Sequence, residues 1–95
     1  MTESEIQKEI IKVLELNGCM VFRLNSGRAR NNIRLCPSGT PDLLAITRHG
    51  IPYFIEVKTE DGTLSPDQID MIARLNRRNQ KVIVAHDIKD VSWIR

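Results

Sequence analysis

Two apolar runs, Asp42 to Thr47 and Ile51 to Lys58, lie three residues apart, and charged groups are set into both of them. The second, Ile-Pro-Tyr-Phe-Ile-Glu-Val-Lys, has the β-branched and aromatic character of a strand. Side chains alternate along a strand, so Glu56 and Lys58 share one face, while Tyr53, Ile55 and Val57 take the other. The first run carries Asp42 and then four apolar residues, a pattern expected of a strand buried on both faces. Pairing of the two runs depends on the loop between them. If Arg48-His49-Gly50 is a three-residue hairpin loop, Thr47 faces Ile51, and counting back sets Asp42 opposite Glu56 on one face. Gly50 suits the left-handed position that such a loop needs. A two-residue loop, His49-Gly50, would turn Asp42 toward Val57 and the wrong face.

The flanking segments supply a scaffold for this hairpin. Ile6, Ile10, Val13 and Leu14 recur at helical spacing, Thr2 and Glu5 have capping-box spacing, and Gly18 follows as a stop. Met20 to Leu24 has strand character. Residues 25–40 read as a long loop, with Ile33 and Leu35 hinting at a short strand. Ser65-Pro66-Asp67-Gln68 opens a second helix, with Ser as N-cap, Pro at the first helical position and Gln at the capping-box position. Ile69, Ile72 and Leu75 are its expected buried stripe. Lys81 to Ala85 is a last strand, and Asp87 is placed to cap a terminal helical turn or two reaching Trp93. The order is αβββαβ(α), an α/β fold with a mixed central sheet between helices, in one domain over residues 1–95.

Composition narrows the function classes. The chain has 95 residues, 27% of them charged, and a formal net charge of +2, so any nucleic-acid surface must come from local clustering. Two cysteines, Cys19 and Cys36, without CxxC or CxxH spacing, exclude a zinc ribbon and are expected as free thiols of an intracellular protein. The N-terminus is acidic and polar, unlike a signal peptide, and no apolar stretch reaches the roughly 18 residues of a membrane span. Aromatic residues are only 4%, too few for a base-stacking single-strand binder. Trp93 is expected as a core or dimer anchor, and His49 and His86 as surface residues.

Two carboxylates converging beside a lysine suit a hard divalent ion, Mg2+ or Mn2+, which takes oxygen ligands. Pro41-Asp42, thirteen intervening residues and Glu56-Val57-Lys58 resemble the PD-(D/E)XK nuclease signature. The wider text Gly-Thr-Pro-Asp-Leu-Leu, Ile-Glu-Val-Lys and Leu-Ser-Pro-Asp-Gln is similar to the VRR-NUC branch, the virus-type replication-repair nucleases. The resemblance implies a restriction-endonuclease-like core and metal-dependent cleavage of DNA. It implies Asp42, Glu56 and the Val57 carbonyl as metal ligands, and Lys58 orienting the attacking water and stabilising negative charge. Gln68 would hold that water or the scissile phosphate, and Glu5 would contact a metal-bound water or Lys58. Stand-alone members of the family form homodimers and cut branched DNA such as four-way (Holliday) junctions in repair. The implied setting is intracellular, in cytoplasm or nucleoid, or a virus-encoded protein acting in its host, with no organic cofactor.

Each assignment has a plainer counterpart. Glu5 and Gln68 both stand at capping-box positions, and Glu56 with Lys58 could be a solvated pair. Arg23, Arg28, Arg30 and Arg34 fall in a stretch with no acid, and with Ser26 they are expected to grip DNA phosphates rather than only decorate a loop. Arg74, Arg77, Arg78 and Lys81 suit the end of a helix at least as well. The rival to an enzyme is a catalytically silent DNA-binding module on the same fold. Cleavage of a labelled four-way junction with and without a divalent ion separates them.

Overall fold

Helix α1 (Glu3–Leu16) starts at a reciprocal cap, in which Glu5 N–H donates to Thr2 Oγ1 at 3.2 Å and Thr2 N–H to Glu5 Oε1 at 2.9 Å. A computed structural model describes residues 1–24 and 36–95 of the chain. After α1 come β1 (Met20–Arg23), β2 (Leu43–Ile46), β3 (Pro52–Val57), α2 (Pro66–Arg77) and β4 (Lys81–Ala85). A single 3-10 turn, Ile88–Asp90, follows, with the Asp87 carboxylate accepting from Lys89 N–H at 2.8 Å. The expected terminal helix is thus one tight turn.

The sheet runs β1-β2-β3-β4, antiparallel except for the parallel β3–β4 pair that α2 bridges. Leu43 pairs with Ile55 and Ala45 with Tyr53. Thr47 N–H donates to the Ile51 carbonyl at 2.9 Å, which makes 48–50 the three-residue loop. Gly50 takes φ +83°, and its N–H returns to the Thr47 carbonyl. The Thr47 hydroxyl, almost fully buried, accepts from His49 N–H at 3.2 Å and Ile51 N–H at 3.1 Å. One side chain therefore satisfies loop amides and pins the register.

The core lies on one side of the sheet only. Ile6, Ile10 and Leu14 of α1 meet Leu43, Ala45, Ile55, Val57 and Ala85, and the tail closes over them with Val91 and Ile94. Asn17 Nδ2 holds that tail by donating to the Ser92 and Ile94 carbonyls, each at 3.0 Å. The opposite face is thinner. Leu44, Ile46 and Phe54 are half-buried, so β2 is not covered equally on both sides as its continuous apolar run suggests. Helix α2 packs mainly on β4 and buries no residue fully. Ile72 and Leu75 are half-buried and Ile69 is 55% exposed, so the expected stripe is only partly covered. Periodicity locates an apolar stripe but does not say how much of it finds a partner. Trp93 is likewise no core residue: it is 54% exposed, edge-on to Tyr53 at 5.5 Å, with its indole N–H on the Asp90 carbonyl.

Replacing Thr47 with valine keeps the shape and deletes the acceptor. Chemical denaturation should show a loss of about 1–3 kcal/mol for Thr47→Val and clearly less for Thr47→Ser. Equal stability of wild type and Thr47→Val would contradict this role.

Candidate functional site

The β2–β3 register extends by one pair beyond Leu43 and Ile55 to Asp42 and Glu56, which therefore share a face. Asp42 holds its place by accepting from Val57 N–H through Oδ2 at 2.8 Å. Its own carbonyl accepts from Leu24 N–H at 2.8 Å, so Asp42 is tied to the strands on both sides. Glu56 is 1% exposed, and Lys58, two residues on along the same face, is also buried. Lys58 N–H donates to the Ala85 carbonyl at 2.9 Å, anchoring the strand end on β4.

Burial is the main reason that the Glu56 carboxyl is pushed up to about 8, with repulsion from Asp42 next and attraction to Lys58 opposing both. A hydrogen bond with the Asp42 carboxylate and the charge of Glu3 push further in the same direction as burial. Glu56 Oε2 is buried and faces no hydrogen-bond donor among the described residues. Two ionised carboxylates cannot donate to one another, so this pair is at rest only with a shared proton or with a cation among its oxygens. The donors are hard oxygens, and no group of three or more His, Cys, Asp or Glu gathers among the described residues. A site of that kind fits Mg2+ or Mn2+ completed by water and phosphate, not an all-protein cage.

Backbone parity bears on the Val57 carbonyl. Antiparallel ladders bond every second pair, and Thr47–Ile51 is such a pair, so the ladder's next members are 45–53, 43–55 and 41–57. Position 41 is proline, which has no N–H to give the Val57 carbonyl, while Val57 N–H goes to Asp42. The proline before Asp42 thereby withholds the ladder bond that would otherwise occupy that carbonyl.

Gln68 links its helix cap to the carboxylate pair. Its Oε1 accepts from Ser65 N–H at 2.9 Å, and its Nε2 donates to Glu56 Oε1 at 2.9 Å. The capping box therefore dictates which end of the amide faces the carboxylates. Gln68 presents NH2, a donor to anionic oxygens, and its carbonyl is not turned toward the site. Helix α2 is docked on the loop before Asp42 through Ser38 Oγ, which donates to Asp67 Oδ2 at 2.7 Å.

The remaining expected residues divide. Glu5 is exposed and engaged in the cap of α1, which holds its carboxyl below the ordinary value chiefly through the Thr2 N–H. The α1 acid whose charge reaches Glu56 is Glu3. Spacing alone does not single out Glu3, because the capping box draws attention to Glu5. Arg23 is exposed at the end of β1, opposite Leu43 and next to the Leu24–Asp42 bond. Ser26, Arg28, Arg30 and Arg34, with the short strand hinted at by Ile33 and Leu35, lie outside the described residues. His49 and His86 are exposed, as expected. Past Lys58, a cavity of about 690 Å3 is lined by Glu60, Asp61, Asp87 and Asp90 as well as His86 and Lys89.

The VRR-NUC domain model matches residues 2–87, nearly the whole of this chain. The chain belongs to the VRR-NUC family. A solved structure described as a VRR_NUC domain is 31% identical, with a TM-score of 0.75 over 92% of this chain and 86% of its own. A second, described as a VRR_NUC domain protein, is 20% identical with a TM-score of 0.60, over 97% and 83%, and shares the fold. No curated protein sequence matches significantly. The VRR-NUC fold is a nuclease-type α/β fold; among the described residues the mixed sheet has four strands, and no helix is long and apolar enough to cross a membrane.

The buried carboxyl makes a pH prediction for the metal-free VRR-NUC domain. Below about pH 4.5 both folded and unfolded Glu56 hold the proton. Between there and about 8 only the folded form holds it, so unfolding releases a proton and stability falls as pH rises. Denaturation in chelator should show this decline, and Glu56→Gln should flatten it. An unchanged slope in the variant would show that Glu56 does not carry the titration.

Proposed function

We propose that this VRR-NUC domain is a divalent-metal-dependent endonuclease that hydrolyses phosphodiester bonds in DNA. The observation that carries the reading is the Asp42–Glu56 carboxylate pair beside the buried Lys58, with Glu56 Oε2 buried and facing no donor among the described residues. Asp42, Glu56 and the Val57 carbonyl are the proposed ligands for Mg2+ or Mn2+. When bound, such an ion screens the phosphate charge, lowers the pKa of a water and stabilises the leaving alkoxide.

The chain's own groups do the rest. The Lys58 ammonium, on the same face as both carboxylates, orients the attacking water and offsets negative charge that builds on the phosphate oxygens. The Gln68 NH2 holds Glu56 in place and donates to a non-bridging phosphate oxygen; with its carbonyl committed to Ser65, it does not take a proton from the water. Of the acids of α1, Glu5 accepts from Thr2 N–H in the helix cap and Glu3 adds its charge to that felt by Glu56; Glu5 is proposed to reach water around the ion. Arg23, with Ser26, Arg28, Arg30 and Arg34, is proposed to bind DNA phosphates. Branched DNA such as four-way junctions is the proposed substrate, in a repair role inside the cell. The two free thiols fit a reducing compartment. A homodimer is the proposed working form, supported by Met20, Phe22 and Ile69, which are apolar and exposed.

Purified protein should cut a labelled four-way junction with Mg2+ or Mn2+ and not with chelator. Asp42→Ala, Glu56→Ala and Lys58→Ala should each lower the rate by about 100-fold or more while the fold persists. Junction binding without cutting under either metal would instead make the chain a silent DNA-binding module. Arg28→Ala with Arg30→Ala should weaken binding and flatten its salt dependence by about one unit of slope for each phosphate no longer neutralised. Binding unchanged across a salt series would remove these arginines from the interface.

A further inference from the structure

Four pieces of chain meet in a closed ring at the site. Glu56 on β3 accepts from Gln68 on α2, and the Asp67–Gln68 peptide lies directly under Gly39. A Cβ on Gly39 would stand 2.3 Å from the Asp67 carbonyl oxygen and 3.1 Å from Gln68 N. Gly39 also takes φ +86°, so only glycine allows this approach without strain. Thr40 stiffens the turn, its Oγ1 donating to the Pro37 carbonyl at 2.7 Å. Two residues later the chain reaches Asp42, whose carboxylate returns to β3 at Val57 N–H. Between this loop and α2, Ser38 Oγ donates to Asp67 Oδ2 at 2.7 Å, a side-chain latch beside the glycine contact.

We propose that Asp67 is a positioning residue: by holding Ser38, it seats the Gly39 turn on the first turn of α2 and so aims the Gln68 amide at Glu56. Asp67 itself does not touch the reacting atoms. It is exposed, and an exposed hydroxyl–carboxylate bond adds little to overall stability. Its effect is on geometry, because Gln68 reaches Glu56 only from a helix end placed to within about half an ångström. The ring also joins the two carboxylates by a second route besides the β2–β3 ladder, through loop and helix.

The test follows the Gln68 side-chain NH2 by nitrogen-15 NMR in the full chain without metal, assigned with Gln68→Ala. In wild type the pair should be shifted from the random-coil position and protected from hydrogen exchange. Asp67→Ala and Ser38→Ala should move it toward random coil and speed its exchange about tenfold or more. Asp67→Asn, which keeps an oxygen acceptor for the Ser38 hydroxyl, should stay near wild type. Melting temperatures of all three variants should remain close to that of wild type. Gln68 signals unchanged in Asp67→Ala would overturn the proposal, as would an Asp67→Asn protein that behaves like Asp67→Ala. Its kinetic arm rests on the nuclease reading: with junction DNA, Asp67→Ala should lower kcat about tenfold at unchanged KM, and Asp67→Asn should restore it. A wild-type protein that does not cut would sink the nuclease reading alone, because the NMR arm needs no activity.

Discussion

A carboxyl group at 1% exposure, opposite a second carboxyl on the neighbouring strand, is the least comfortable contact in this molecule. Water normally solvates such a charge, and here there is almost no access for it. The surroundings answer with a lysine on the same face and one amide donor from Gln68, and they leave Glu56 Oε2 facing no donor among the described residues. An interior built only for stability would replace this pair with apolar groups. The rest of the fold holds the pair in place. The core that offsets its cost lies on the other face of the same strands, where Leu43, Ile55 and Val57 lock against α1.

Register is the link between that core and the site. Leu43 and Ile55 on one face cannot slip without carrying Asp42 and Glu56 off the other. The Thr47 hydroxyl and Gly50 set the loop at three residues, and the loop length sets the pairing. At the far end Pro41 interrupts the ladder, so the Asp42 side chain, and not a backbone carbonyl, takes the Val57 N–H. A hairpin loop and a proline at opposite ends of β2 thus control the same few oxygens.

Much of this is legible from residues alone because strand alternation and loop parity are local rules. The Asp42–Glu56 pairing follows from counting back across Arg48-His49-Gly50, and both helix starts follow from their capping boxes. Gln68 is ambiguous in sequence between cap and site, and in the structure one amide bonds the cap at one end and Glu56 at the other. What stays hidden is nonlocal. The coverage of α2 depends on what packs over Ile69 and Ile72, which periodicity does not report. Glu3 carries no mark in the sequence because the cap signal falls on Glu5, and the Ser38–Asp67 bond joins residues 29 apart with no motif between them. The arginines between positions 28 and 34 are beyond the described residues, so their part rests on composition.

The most direct measurement is anomalous scattering from crystals of this chain soaked in Mn2+. A single strong peak bounded by the Asp42 and Glu56 carboxylates and the Val57 carbonyl is the expected result. No peak at that position, or manganese bound only along the acidic wall of Asp87 and Asp90, would contradict a metal centre built on these two strands.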